Sequence, residues 1–182
     1  MIQPRASSTK TASVFGVMAN PLRVNTAELL RRAGTERAVD VTVTPVELLL
    51  VDERLDPDSA VTVALHLESL TDGVVIRGTV EADWHGLCRR CAAPTEGHLV
   101  CDVNELYQEV LSDPEAFQLE GNQLDLAPMI REVIVLDAPG SPLCRPDCRG
   151  LCPHCGIDLN TGECSCNVVY TDPRWAALEQ FE

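Results

Sequence analysis

Aromatic residues make up only 4% of this 182-residue chain, so its core has to be built from Val, Leu, Ile and Ala. Long apolar runs are missing too. Residues 1–20 hold none of the length of a secretory signal, and no stretch approaches a membrane span, which predicts a cytoplasmic chain with no membrane contact. Between Arg90 and Arg131 there is no Lys or Arg, yet Glu96, Asp102, Glu105, Glu109, Asp113, Glu115, Glu120 and Asp125 all fall there. Such a stretch repels phosphate, which counts against nucleic-acid binding by the bulk of the surface. Catalytic signatures are absent as well. There is no His-Glu-x-x-His helix, no P-loop and no Gly-x-Gly-x-x-Gly, and His66, His85 and His98 stand apart from any partner that spacing would favour.

Cysteine is what the chain has in abundance. Six of nine lie within residues 144–166, where Cys152-Pro153-His154-Cys155-Gly156 has the form of a zinc knuckle, a tight turn that aims two sulfurs at one point. A second Cys-x-x-Cys lies far upstream, in Cys88-Arg89-Arg90-Cys91. In a reducing compartment, clustered pairs of this kind read as metal ligands before disulfides. Cys101 alternates with Leu99 and Val103 and belongs to a strand's buried face. The other eight suffice for two four-sulfur shells and two Zn²⁺, and such closed shells argue against an enzyme. His154, inside the knuckle, reads as an exposed loop residue.

Formal charge is −14, unevenly spread: residues 1–37 carry six basic and two acidic side chains, net +4, and residues 38–182 carry eight and twenty-six, net −18. Residues 1–19 show no period and read as a flexible tail. Asn25-Thr26-Ala27-Glu28 has the form of a capping box and predicts a helix through Leu29, Leu30 and Arg32, ended by Gly34. From Val39 the period is two. Val61, Val63, Leu65 and Leu67 mark one strand and Val74, Ile76, Val80, Ala82 and Trp84 the next, joined through Thr71-Asp72-Gly73. That second strand runs into Cys88, and a third around His98 to Tyr107 returns from Cys91, which sets the first Cys-x-x-Cys at a hairpin tip. Residues 112–123 read as loop, and Asp125 caps a short helix through Met129, Ile130, Val133 and Ile134, with Pro128 in its first turn. Trp175, Leu178 and Phe181 give a terminal helix an apolar face.

The predicted fold is α+β: an antiparallel β-sheet with short helices and a cysteine-rich, zinc-binding C-terminal segment. Residues 20–137 form the sheet domain, and residues 138–182 form the zinc-binding segment, whose terminal helix packs on that domain. Cys152, Cys155, Cys164 and Cys166 can close on one metal, leaving Cys144 and Cys148 to join Cys88 and Cys91. The alternative is that Cys144, Cys148, Cys152 and Cys155 share one. Arg89, Arg90, Arg145 and Arg149 lie in or beside these motifs, where they can offset shell charge, donate to sulfur, contact phosphate or simply be exposed.

Several of these stretches carry a resemblance. Leu67-Glu68-Ser69, Asp72-Gly73-Val74-Val75-Ile76-Arg77-Gly78-Thr79-Val80 and Cys88-Arg89-Arg90-Cys91 resemble the YceD family of large ribosomal RNA subunit accumulation proteins. So do Asp147-Cys148-Arg149-Gly150-Leu151-Cys152-Pro153-His154-Cys155-Gly156, Asn160, and Asp172-Pro173-Arg174-Trp175-Ala176-Ala177-Leu178. The similarity runs from Pro21 to the end, with Ala92 standing where relatives commonly carry Leu. It implies a bacterial cytoplasmic protein, with no catalytic residues, needed for accumulation of large-subunit ribosomal RNA. Relatives are often encoded beside a zinc-ribbon protein of the large subunit. With the acidic charge, this makes a basic large-subunit ribosomal protein the expected partner, held by the sheet and the acid-only stretch through Glu96, Asp102, Glu105 and Glu109. The rival is contact with ribosomal RNA or a pre-ribosomal particle through Arg89, Arg90, Arg145, Arg149 and the mildly basic N-terminal segment, as an RNA-binding, nucleolytic or redox zinc protein.

Overall fold

The structure is a computed structural model that describes residues 20–112, 114–119, 121–166, 174 and 175. Its body is a five-stranded sheet in the order β2 (Glu36–Val43), β3 (Val61–Ser69), β4 (Val74–Leu87), β5 (Pro94–Gln108), β6 (Phe117–Gln118). The first four strands pair antiparallel in sequence order, as their period of two and the turn at Asp72-Gly73 predict. Strands β4 and β5 run on beyond β3, whose pairing ends at Val61 opposite Ala82, and carry their connecting turn past it, with Leu87 opposite Pro94 at the far end.

The register puts Val61, Val63, Leu65 and Leu67 beside Val80, Ile76, Cys101 and Val103 on one face, all buried. Helix α1 (Ala127–Asp137) lies on this face and contributes Met129, Ile130 and Ile134 to the core. Asp125 Oδ1 accepts from the Ala127 amide at 3.0 Å, and Pro128 sits in the first turn. At the other end Arg54 donates to the carbonyls of Ala138 (2.6 Å) and Val135 (3.3 Å), carbonyls that the helix leaves unpaired. Asp52 holds that guanidinium through two contacts of 2.9 and 2.6 Å. The opposite face of the sheet is covered by no other element among the described residues.

Two sequence expectations change. The segment opening at Asn25 is a single 3₁₀ turn, Leu29–Arg31, and Glu28 makes no capping bond. Asn25 is instead the last residue of β1 (Arg23–Asn25), paired antiparallel with β7 (Gln123–Asp125), and its side chain accepts from the Ala27 amide. Asn25 thus closes a turn at the end of its strand, and the chain that follows winds for only one 3₁₀ turn. The stretch read as loop after Ser112 contains β6, which runs parallel to the end of β5 where Phe117 stacks on Tyr107 at 5.1 Å. Residues 1–19 and the expected terminal helix lie outside the described residues, apart from an exposed Trp175.

Candidate metal centres

Strand β4 delivers Cys88 to the hairpin tip, where the chain turns through Cys88-Arg89-Arg90-Cys91 and leaves along β5. Two backbone bonds define the turn: Ala92 N–H donates to Cys88 O and Cys88 N–H donates to Ala93 O, both at 2.8 Å. Cys152-Pro153-His154-Cys155 repeats this pattern at the same offsets. Gly156 N–H donates to Cys152 O and Cys152 N–H donates to Ile157 O, both at 2.9 Å. In each turn the residue after the second cysteine is left-handed, with φ +56° at Ala92 and +74° at Gly156.

Residues 142–151 fold back over the first turn. Arg89 N–H donates to Pro142 O, Leu151 N–H donates to Arg90 O, and the Arg90 guanidinium donates to Cys148 O at 2.8 Å. Gly150, at φ +76°, lies so close that an added Cβ would come within 2.9 Å of Arg90 O. These contacts bring Cys144 and Cys148 to Cys88 and Cys91, and all four sulfurs lie within 4.8 Å of one another. Cys152, Cys155, Cys164 and Cys166 form a second such group, so the sulfurs are not arranged with Cys144, Cys148, Cys152 and Cys155 together. His154 is exposed and outside both groups, and Cys101 is buried in the sheet core.

The spacing fits metal. A Zn–S bond of about 2.3 Å places tetrahedral sulfurs roughly 3.8 Å apart. Cys88 and Cys148 sulfurs are 3.8 Å apart and Cys91 and Cys144 sulfurs 3.7 Å apart. Electrostatics are alike in the two groups. The Cys144 amide, followed by those of Arg90 and Cys91, outweighs burial and holds the Cys88 thiol down at about 6. Burial and then the neighbouring thiols, Cys148 first, push Cys144 up to about 12. In the second group the amides of Cys155 and His154 hold Cys152 at about 6, while the Cys155 thiol, then burial, pushes Cys166 up to about 12. In each group the raised thiol, Cys144 in one and Cys166 in the other, keeps a proton that a divalent cation would displace.

Donation to sulfur comes from Asn160, which in the sequence stood only among the residues that carry the family resemblance. Asn160 Nδ2 lies 3.5 Å from Cys148 Sγ. The arginines do otherwise: Arg90 binds a carbonyl, Arg145 reaches Asn160 and Asp147, and Arg89 and Arg149 are exposed. The acidic residues singled out as a partner surface are not on one face either. Glu96 and Asp102 occupy alternate β5 positions on the open face, whereas Glu105 pairs with Ile76 on the helix-bearing face and Glu109 lies beyond the strand. Burial, then Glu132 and Glu115, raises the Glu105 carboxyl above its usual range. The period of two in β5 was the signal that separates them.

A family model described as large ribosomal RNA subunit accumulation protein YceD matches residues 76–182. The uncharacterized protein Rv2926c of Mycobacterium tuberculosis is 34% identical over 172 residues, 90% of this chain and 83% of that protein. The uncharacterized protein ML1660 of Mycobacterium leprae is 28% identical over 173 residues, 87% of this chain and 76% of that protein. A shorter match, 37% over 51 residues and 28% of this chain, is to a maize protein called large ribosomal RNA subunit accumulation protein YCED homolog 1, chloroplastic, of which it covers 17%. No solved structure matches.

Proposed function

The chain belongs to the YceD family of large ribosomal RNA subunit accumulation proteins, and on that premise we propose that it is a non-catalytic cytoplasmic factor of large-subunit biogenesis. It carries two structural Zn²⁺ and holds a basic ribosomal protein on the open face of its sheet. Shells of four sulfurs leave no position for a reacting water, so the metals serve the fold.

The observation that carries the partner reading is that open face. Its alternate positions present Glu36, Asp40, Glu68, Glu81, Asp83, Glu96 and Asp102, and Arg77 is the one Lys or Arg among them. The surplus reaches one of its three histidines: Asp83, 2.8 Å from His98, and then Glu81 raise that imidazole above its ordinary value. Towards the tip the face passes into a cleft of about 780 Å³ lined by Glu53, Glu96, Leu87, Pro94 and Pro142, together with Arg54, whose charge is offset by its pairing with Asp52. A field of one sign beside apolar walls favours cationic protein segments and repels phosphate. Holding such a protein until it meets its RNA supports ribosomal RNA accumulation without any RNA contact.

The test is binding of purified basic large-subunit proteins, with the zinc-ribbon protein first. Glu96→Lys with Asp102→Lys is expected to weaken binding about tenfold or more, and Glu105→Lys with Glu109→Lys to weaken it less. A second reading rests on Arg89 and Arg149, which stand exposed at the cysteine-bearing tip. If Arg89→Glu with Arg149→Glu abolishes binding of precursor ribosomal RNA while the open-face pair changes nothing, direct RNA contact replaces the present reading. Metal-dependent cleavage of that RNA would refute a non-catalytic role.

A further inference from the structure

One side chain reaches from the loop of the second centre to the first. Asn160 belongs to the loop between the cysteine pairs of the second centre, a loop tied down by Thr161 and Gly162 amides on Asp158 O and by Leu159 N–H on Gly150 O. Its side chain, however, is spent on the first centre. Oδ1 accepts from the Arg149 amide at 2.8 Å and from Arg145 Nη2 at 2.9 Å, while Nδ2 donates to Cys148 Sγ at 3.5 Å and to Asp158 Oδ1 at 2.6 Å. The orientation of the amide follows from its neighbours, since two donors face one end and a sulfur and a carboxylate face the other.

We infer that Asn160 couples the two centres: metal in the Cys152, Cys155, Cys164, Cys166 site positions Asn160, which holds Cys148 for metal in the Cys88, Cys91, Cys144, Cys148 site. The second centre draws its four ligands from 15 residues and sets the loop's shape. With the loop set, the Asn160 amide fixes the loop 144–149 through Arg149 N–H and disperses thiolate charge on Cys148. Partners of metal ligands at this distance typically change metal affinity about 10- to 100-fold. By linkage, metal in the first centre raises the affinity of the second by the same factor.

The experiment is a chelator-competition titration of the full-length chain with Cd²⁺, with ¹¹³Cd NMR to assign each signal. Cys164→Ser with Cys166→Ser, which removes the second centre, is expected to lower first-centre affinity about tenfold or more. In an Asn160→Ala background that affinity starts equally low, and the same cysteine changes add nothing to the loss. Asn160→Asp, which keeps the acceptor for Arg149 N–H but loses the donor, keeps the fold while shifting the first ¹¹³Cd signal and leaving the second in place. The inference is overturned if Asn160→Ala and Asn160→Asp leave first-centre affinity at the wild-type value. It is equally overturned if removing the second centre costs the same with and without Asn160, which would assign the coupling to the backbone contacts of Leu151 and Leu159, or if no Cd²⁺ binds.

Discussion

The turns at Cys88–Cys91 and Cys152–Cys155 are built by the same two backbone bonds and differ in what completes them. The first is completed by Cys144 and Cys148, with 53 residues separating Cys91 from Cys144, and buries Cys88 and Cys148. The second is completed from within its own loop and buries only Cys152. A local motif of one shape thus serves two ends. One group closes a long loop and holds the tail against the sheet, so a metal there would stabilise contacts far apart in sequence. The other shapes a short loop, whose unfolded chain has little closure entropy to lose.

Removing a ligand from each centre should separate these roles most widely. Cys88→Ser is expected to release one metal, detach residues 142–151 from the hairpin tip and lower stability by at least about 3 kcal/mol. Cys164→Ser is expected to release one metal while leaving amides of β3, β4 and α1 protected, as hydrogen exchange would read. Equal loss of sheet protection in both variants would erase the distinction.

Backbone substitutions sharpen the comparison at smaller scale. Gly150→Ala places a Cβ 2.9 Å from Arg90 O at φ +76°, with an expected cost of about 2 kcal/mol in urea unfolding of the metal-loaded protein. The paired turns predict opposite signs at one shared position: Gly156→Ala destabilises and Ala92→Gly stabilises, each by roughly 1 kcal/mol. A destabilised Ala92→Gly would show that the first turn needs its methyl group more than it suffers from φ +56°.

The smallest effect lies outside both centres and serves as their control. The hydrogen bond from Arg54, above all, holds the Asp52 carboxyl below its ordinary 3.8. A depressed carboxyl contributes stability that is present above the unfolded value and lost as pH falls through the folded one. The difference in urea stability between wild type and Asp52→Asn should therefore persist from pH 7 down to about 4 and shrink below it, with or without chelator. A difference that depends on chelator would mean that this pair reports on the metal centres.

Much of this was legible in the sequence because alternation and turn chemistry are local. Val61 to Leu67, the Asp72-Gly73 turn and the arrival of β4 at Cys88 followed from spacing alone. What was missed is long-range. Asn25 reads as a helix cap until its ladder with Gln123 is known, and β6 is too short to show a period. The acid-only stretch looked like one surface because charge was counted along the chain, although a strand sends alternate side chains to opposite faces. Asn160 stood in the sequence as one position of the family resemblance with no role attached, since its partners Arg145, Cys148 and Arg149 come from another loop.

The central claim, two four-sulfur metal centres of unequal structural reach, is tested most directly by native mass spectrometry with elemental analysis of the purified chain. Two Zn²⁺ per wild-type chain are expected, and one in each of Cys88→Ser and Cys164→Ser. A folded, metal-free protein with all nine thiols titratable, or loss of both metals at saturating Zn²⁺ in either variant, would contradict the account.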